Sequence, residues 1–247
     1  MRSKRFIRRI FARLGYEIRR VGEESEGSSL DLWSWLRVNG GIRTILDIGA
    51  NNGEFAEYLS TYFDAKQTIA IEPLPGCAEE VRQRGKVIKN LTVLECAVSD
   101  HEGKATLFEN SYAPASSLLP VSSISTDEFP QTAGNQKEVE VAVRRLDDMI
   151  NPDDFDREIM IKIDVQGLED KVIQGGEKTF RAAKFVLVEM SFVPMYDGQP
   201  LFEEVHELLV NIGFRFAGIK NQVDSPTTGQ PLFVHCLYIN ENKKQVI

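Results

Sequence analysis

The stretch from Thr44 to Leu59 constrains the fold more than any other part of the chain. An apolar run with one acid inside it, Thr44 to Ile48, is followed by two glycines four residues apart and then by apolar residues at helical spacing. This pattern predicts a strand, a tight turn and a helix. So small a turn needs glycine, because a Cβ atom would obstruct positive φ or the close approach of a ligand. The helix after it presents unpaired N–H groups and a positive dipole end, so we expect a polar or anionic ligand at this turn.

A second acid narrows the choice of ligand. Residues 68–72 form another apolar run that ends in Glu72, and an acid at the end of the second strand of a nucleotide site accepts hydrogen bonds from the ribose hydroxyls. The glycine pattern is Asp-x-Gly-x-x-x-Gly, unlike the dinucleotide fingerprint, and no Walker lysine follows. A nucleoside with an amino-acid tail is therefore favoured over a diphosphate. S-adenosylmethionine has this shape, and Asp47 could balance its ammonium group directly or through water; the alternative is a set of ordinary turn glycines.

Length and composition bound the architecture. A chain of 247 residues with 42% hydrophobic content suits a single α/β domain with small additions. We find no run of eighteen apolar residues and no apolar signal-peptide core, so the expected compartment is the cytosol. The three cysteines are odd in number and unclustered, which favours reduced, packed thiols. The predicted divisions are residues 1–22, a basic amphipathic helix; 23–41, a linker and cover helix; and 42–247, the α/β domain.

Charge is distributed unevenly along the chain. Residues 1–20 carry eight Arg or Lys and one Glu, a net +7, which leaves −15 for the other 227 residues. The acidic remainder is a poor general partner for nucleic acid, and none is expected. The first 20 residues place apolar side chains on one helical face with arginines around it, which predicts either peripheral contact with the inner membrane surface or a helix that packs on its own domain.

The central part of the chain alternates between strands and helices, which indicates parallel strands joined by helical crossovers. Residues 109–137 interrupt this alternation with a long segment rich in Ser, Thr and Pro, a candidate lid over the substrate. Residues 213–219 and 232–239 predict a closing antiparallel pair. Strands are predicted at 44–48, 68–72, 91–95, 104–108, 139–143, 158–164 and 184–190, and helices at 31–38, 53–63, 76–84 and 201–211, with one more that ends near residue 175.

Five motifs in this order and spacing resemble the FkbM family of S-adenosylmethionine-dependent methyltransferases. They are Leu46-Asp47-Ile48-Gly49-Ala50-Asn51-Asn52-Gly53, Ile71-Glu72-Pro73, Ala97-Val98-Ser99-Asp100, Arg145-Leu146-Asp147-Asp148 and Ile161-Lys162-Ile163-Asp164-Val165-Gln166-Gly167-Leu168-Glu169. The resemblance implies an α/β fold of the Rossmann-like class I methyltransferase type: a mostly parallel seven-stranded sheet with an antiparallel last strand and helices on both faces. It also implies methylation of a hydroxyl in a sugar, glycan or secondary metabolite. The family usually has Glu where this chain has Gln166, which loses a charge.

The carboxyl ends of parallel strands meet at one edge of a sheet, so the candidate site residues are expected there. Those expected to bind the cofactor are Asp47, Gly49, Ala50, Asn51, Gly53, Glu72, Pro73, Ala97 and Val98. Asp164 is the preferred base or substrate-orienting residue, with Lys162 tuning its charge and Glu189 as a further catalytic candidate. The alternatives are that Asp164 only caps the next helix and that Lys162 pairs with Glu169 or Asp170.

Other readings of the same residues remain open. A nicotinamide-dependent oxidoreductase would use the same sheet and Glu72, and a non-catalytic scaffold would bind the cofactor without needing Asp164. No metal ligand set is assigned, since nothing in the sequence shows ligand spacing, and a divalent ion held by Asp164 and Glu189 stays an open alternative. His206 and His235, on an amphipathic helix and in the last strand, are expected to be packing or surface residues. The acceptor's identity and the oligomeric state have no signal in the sequence.

Overall fold

The computed structural model describes residues 32–156 and 158–243. The predicted basic helix at 1–22 lies outside the described residues, and the predicted boundaries at 22 and 41 stay predictions. The strands are β1 Thr44–Ile48, β2 Gln67–Ile71, β3 Leu91–Leu94, β4 Ala97–Val98, β5 Gly103–Asn110, β6 Gln136–Arg144, β7 Ile159–Ile163, β8 Phe185–Ser191, β9 Phe214–Asp224 and β10 Pro231–Asn240. The helices are α1 Leu32–Asn39, α2 Glu54–Phe63, α3 Pro75–Gln83, α4 Ser123–Glu128, α5 Leu146–Met149, α6 Glu169–Gly175, α7 Glu177–Ala182 and α8 Phe202–Asn211.

Seven strands form the main sheet, in the order β3-β2-β1-β7-β8-β10-β9. Neighbouring strands run parallel except β10, which is antiparallel to both β8 and β9. The strands β1 and β7 lie at the centre and are buried at every position, which is why they appear in the sequence as short apolar runs. The predicted fold class is confirmed.

Helices cover both faces of this sheet. One face packs on α6, α7 and α8 through Val172, Phe180 and Leu209. The other face packs on α1 and α2 through Leu36 and Leu59. Helix α1 thus covers this face of the sheet. Within the described part of the chain, no helix has the length and apolar character needed to cross a membrane.

A second, three-stranded sheet was not predicted. Its order is β4-β6-β5, with β5 antiparallel to β6 and β4 parallel to it. The expectation of parallel strands with helical crossovers is therefore wrong for residues 104–108, because β5 pairs antiparallel with β6. The side-chain alternation of β6 marks one buried face but carries no information about the partner strand.

The connection between β5 and β6 is folded rather than open. It holds α4, where Ser122 Oγ accepts a hydrogen bond from Ser125 N at 3.2 Å, and short 3₁₀ turns at Ala113–Ala115 and Pro130–Ala133. Ser117 pairs with Phe108 in an isolated bridge, which fastens the connection to β5. The connection lies over the carboxyl ends of the main-sheet strands.

Candidate functional site

A cavity of about 320 Å³ lies between the carboxyl ends of the main-sheet strands and the β5–β6 connection. The residues after β2 and β1 line one side of it, and those at the ends of β7 and β8 line the other. Of the predicted site residues, the cavity wall includes Gly49, Asn51, Glu72, Pro73, Ala97, Val98, Asp164 and Glu189. The other four predicted residues, Asp47, Ala50, Gly53 and Lys162, do not line the cavity. The fold therefore brings most of the predicted residues to one place.

Glu72 is held in position by the backbone. Its Oε2 accepts a hydrogen bond from Asn51 N at 2.8 Å, and its Oε1 accepts one from Leu74 N at 2.9 Å. Glu72 is 6% exposed, and burial raises the pKa of its carboxyl group, while these two hydrogen bonds lower it. Each carboxylate oxygen has a second acceptor position. Glu72 therefore presents a rigid pair of acceptors to the cavity, which suits a diol.

The apolar wall next to Glu72 fits a flat ring. Ala97 and Val98 form the short strand β4, and both are buried apart from the surface that they give to the cavity. Ile71 and Leu74 add further apolar surface on the same side. The placement of an adenine at Ala97 and Val98, with the ribose at Glu72, stays a prediction.

The packing of the strands is enough to explain why residue 49 is a glycine. Its φ is +77°, and a Cβ atom at this position would lie 1.9 Å from the carbonyl oxygen of Asp164. Its N–H donates to Ile71 O at 2.9 Å. The turn needs glycine because the end of β7 approaches it closely. The glycine is thus a signal of strand packing as much as of ligand binding.

Asp47 and Lys162 form a buried pair between neighbouring parallel strands. They are register partners in β1 and β7, with Asp47 Oδ1 3.0 Å from Lys162 Nζ. Lys162 Nζ also donates to Gly49 O at 2.6 Å. Burial raises the pKa of Asp47, and the nearby ammonium group opposes this. The structure thus differs from one expectation, because Asp47 is fully buried against Lys162 and does not line the cavity. The alternative in which Lys162 pairs with Glu169 or Asp170 is not observed, since its partners are Asp47 and Asp164.

Three side chains converge at the other side of the cavity. The Gln166 amide nitrogen donates to Asp164 Oδ1 and, at 3.0 Å, to Glu189 Oε1. Gln166 Oε1 in turn accepts a hydrogen bond from the Tyr196 hydroxyl at 2.6 Å, which fixes the orientation of the amide. A glutamate at this position could not donate to either carboxylate. The departure from the family pattern therefore gives the two carboxylates a shared donor.

His235 completes this group and was missed by the sequence reasoning. It is the register partner of Glu189 across β10 and β8. Its Nε2 lies 3.5 Å from Glu189 Oε2 and 3.9 Å from Asp164 Oδ2. The expected packing or surface role is therefore replaced by direct contact with the two acids. His206, in contrast, bonds the Tyr238 hydroxyl at 2.8 Å, as a packing residue would.

The two carboxyl groups have different proton affinities. For Asp164, burial favours the neutral form, but Lys162, His235 and Gln166 outweigh it and hold its pKa below the usual range. For Glu189, burial and the charges of Asp164 and Glu169 raise the pKa well above the usual value. Asp164 is therefore the ionised member of the pair and the better hydrogen-bond acceptor.

Comparison with known proteins finds similar methyltransferases. A family model described as the methyltransferase FkbM domain matches residues 47–216. The 2-O-methyltransferase NoeI of Sinorhizobium fredii (strain NBRC 101917 / NGR234) is 28% identical over 173 residues, or 67% of this chain and 70% of that protein. Methyltransferase sdnD of Sordaria araneosa is 24% identical over 193 residues, or 69% of this chain and 73% of that protein.

A solved structure supports the fold. The crystal structure of methyltransferase FkbM from Methylobacillus flagellatus KT aligns with a TM-score of 0.52 at 15% identity, over 81% of this chain and 44% of that one. At this identity the likeness shows the fold alone. Since the family model spans more than half of the sequence, the chain belongs to the FkbM methyltransferase family and is a methyltransferase.

Proposed function

We propose that the protein transfers the methyl group of S-adenosylmethionine to a hydroxyl oxygen of a sugar, glycan or secondary metabolite. The observation that carries this proposal is the single cavity that has Glu72 on one side and the Asp164–Glu189 pair on the other. A nucleoside donor and a hydroxyl acceptor must meet in one space, and these two sides offer a diol acceptor and a proton acceptor. The similarity to NoeI, which is named a 2-O-methyltransferase, supports an oxygen acceptor.

The cofactor would lie along β1, β2 and β4. Glu72 would accept hydrogen bonds from both ribose hydroxyls, and Ala97 and Val98 would contact the adenine. The turn at Gly49 to Asn51 would lie beside the amino-acid tail, while Asp47 would act on it only through the Lys162 pair behind the turn. This orientation would direct the methyl group towards Asp164.

Methyl transfer is an in-line displacement in which the carbon–sulfur bond breaks as the oxygen–carbon bond forms. Alignment of the two reactants supplies most of the rate enhancement. The acceptor hydroxyl would donate its hydrogen bond to Asp164, which holds the oxygen in line and takes the proton as the ether forms. An ionised Asp164 is suited to this role even with a low pKa. The hydroxyl oxygen that has gained the methyl group is a protonated ether, which is a strong acid and gives up its proton to a weak base. The acidic surroundings favour an acceptor whose reacting part is not anionic.

Calorimetry and a transfer assay test the proposal on the full chain. We expect S-adenosylhomocysteine to bind with a 1:1 stoichiometry and to raise the melting temperature, and NADH to do neither. Labelled S-adenosylmethionine with a panel of glycans and polyhydroxylated small molecules should yield a labelled ether. Absence of S-adenosylhomocysteine binding would contradict the proposal, and stabilisation by NADH alone would favour the oxidoreductase. Binding without transfer to any acceptor would favour the non-catalytic scaffold.

A further inference from the structure

We propose that Asp164, Glu189 and His235 bind one divalent cation at the acceptor side of the cavity. The binding itself is independent of the proposed function, while the use of the ion in catalysis rests on it. The three side chains come from β10, β8 and the end of β7, so the sequence gives no ligand spacing. Two carboxylate oxygens and one imidazole nitrogen form a ligand set that suits ions such as Mn²⁺.

One oxygen of each carboxylate is available to bind an ion. Gln166 occupies Asp164 Oδ1 and Glu189 Oε1, so the other carboxylate oxygens, Oδ2 and Oε2, are turned towards His235. The three potential ligand atoms lie within 4.8 Å of one another, with His235 Nε2 at 3.5 and 3.9 Å from the two oxygens. Atoms that share an ion at about 2.1 Å are roughly 3.0–3.5 Å apart. Rotation of one carboxylate that shortens the widest of these separations by about 1 Å would bring all three atoms within reach of one ion.

The charge balance also favours a cation. The acids Asp47, Asp164, Glu169 and Glu189 are all buried or half-buried around this point, and Lys162 is the one lysine or arginine among the described residues that is paired with them in the interior. Lys162 lies 3.0 Å from Asp47 but 3.8 Å from Asp164, so most of its interaction goes to Asp47. Buried carboxylates in excess are costly unless a cation or proton compensates them.

An ion at this place would have a direct use. Asp164 and Glu189 line the cavity, so coordination positions not filled by protein would face the acceptor. A hydroxyl bound there would lose its proton more easily and would be fixed in line with the methyl group. A second hydroxyl on the neighbouring carbon could occupy another position. The inference therefore predicts a vicinal diol as the preferred acceptor group.

Binding of Mn²⁺ to the metal-stripped full chain, measured by the loss of the free-ion EPR signal, tests the proposal. We expect one Mn²⁺ per chain and at least a tenfold weaker affinity in His235→Ala, with Mg²⁺ competing for the same site. His101→Ala is the matched control, since His101 also contacts an acid, Asp100, at 2.8 Å, but is exposed outside the cavity. Equal Mn²⁺ affinity in the two variants, or no binding at millimolar Mn²⁺, would overturn the proposal. Circular dichroism of each variant verifies that it is folded.

Chelation separates this proposal from the proposed function. With EDTA present, we expect S-adenosylhomocysteine still to bind, while methyl transfer falls at least tenfold and returns on addition of Mn²⁺. Transfer that is unaffected by EDTA would overturn the catalytic use of the ion and leave the methyltransferase intact. Loss of S-adenosylhomocysteine binding in untreated protein would overturn the proposed function, whatever the result with Mn²⁺.

Discussion

The two sides of the cavity are built in different ways. The cofactor side comes from short stretches next to β1, β2 and β4, and its key acid, Glu72, is held by backbone N–H groups from within 21 residues. The acceptor side is assembled from side chains at 164, 166, 189, 196 and 235, which reach one another across the main sheet. Local turns position the residues of the cofactor side, whereas strand register positions those of the acceptor side.

This difference has a functional consequence. A site held by backbone donors cannot change much without loss of the turn itself. Single substitutions on the cofactor side should therefore cause a large loss of cofactor affinity. A site held by side chains on separate strands can change one member while the sheet stays intact. We therefore expect substitutions on the acceptor side to alter turnover more than cofactor binding, and substitutions on the cofactor side to do the reverse.

The largest effect is expected for Glu72→Ala. The substitution removes both proposed ribose acceptors and leaves Asn51 N and Leu74 N without their partner. Charge-assisted hydrogen bonds contribute about 1.5–3 kcal/mol each, so the affinity for S-adenosylhomocysteine should fall by about 100-fold or more. Calorimetry measures this. The matched control is Glu95→Ala, in which an exposed acid paired with Arg82 near the end of β3 is removed, and there the affinity should be unchanged. Equal affinities in the two variants would remove Glu72 from the cofactor site.

Glu169 provides a pH-dependent prediction. Its Oε1 accepts hydrogen bonds from Val165 N and Gly167 N, but burial, with the charge of Asp164, raises its pKa from 4.5 to about 7. The folded state therefore binds more protons than the unfolded state between about pH 4.5 and 7, so the free energy of unfolding falls as the pH rises through this window. The loss amounts to about 3 kcal/mol by pH 8.

Glu169→Gln should remove that loss. The variant keeps an acceptor oxygen for the two backbone N–H groups but cannot ionise. Denaturant unfolding in the presence of EDTA, at pH 5, 6, 7 and 8, should show the stability of the variant rising relative to the unsubstituted chain as the pH increases. Parallel profiles for the two proteins would contradict the raised pKa. The charge that acts on Glu169 here is that of Asp164.

Asp164→Asn separates turnover from binding on the acceptor side. The amide keeps the size of the side chain but is a weaker acceptor for the substrate hydroxyl and cannot take its proton. We expect turnover to fall at least tenfold, with S-adenosylhomocysteine affinity within about twofold of normal because Asp164 lies on the other side of the cavity from Glu72. Steady-state kinetics and calorimetry measure the two quantities. An unchanged turnover number would exclude Asp164 from the chemistry.

The contrast between the two sides also explains what the sequence could predict. Strands such as β1 and β7 are buried on both faces, so their apolar runs mark them and their bounds follow closely. The position of Glu72 at the carboxyl edge of the sheet could be predicted because this acid directly follows its strand. The pair Asp47–Lys162 was not predicted, since it depends on which strand lies next to β1 and in which register. The neighbouring strand and the register both depend on tertiary structure, and the sequence of a single strand does not specify them.

A topological rule could have found His235. In a mostly parallel sheet, the first residues of an antiparallel strand lie at the same edge as the carboxyl ends of its neighbours. The sequence predicted a closing antiparallel pair that includes residues 232–239, so His235, in the first half of that strand, was a candidate for the edge that carries the site. Asp147 shows the opposite case. It lies in a family motif, yet its carboxylate accepts hydrogen bonds from Lys178 N and Thr179 N, both at 2.9 Å, and so caps α7.

The smallest effect is expected for Tyr196→Phe. The Tyr196 hydroxyl donates to Gln166 Oε1, and this bond decides that the amide nitrogen, and not the oxygen, faces Asp164 and Glu189. Without it the amide is free to turn, and a hydrogen bond of this kind contributes about 1 kcal/mol. Turnover should therefore fall about fivefold, with cofactor affinity unchanged. Tyr62→Phe, on α2 beside Trp33, is the control and should leave turnover unaltered. A fall in cofactor affinity as large as the fall in turnover would mean that the two sides of the cavity are not independent, because a change made only among the acceptor-side side chains would then have reached the backbone-held cofactor side.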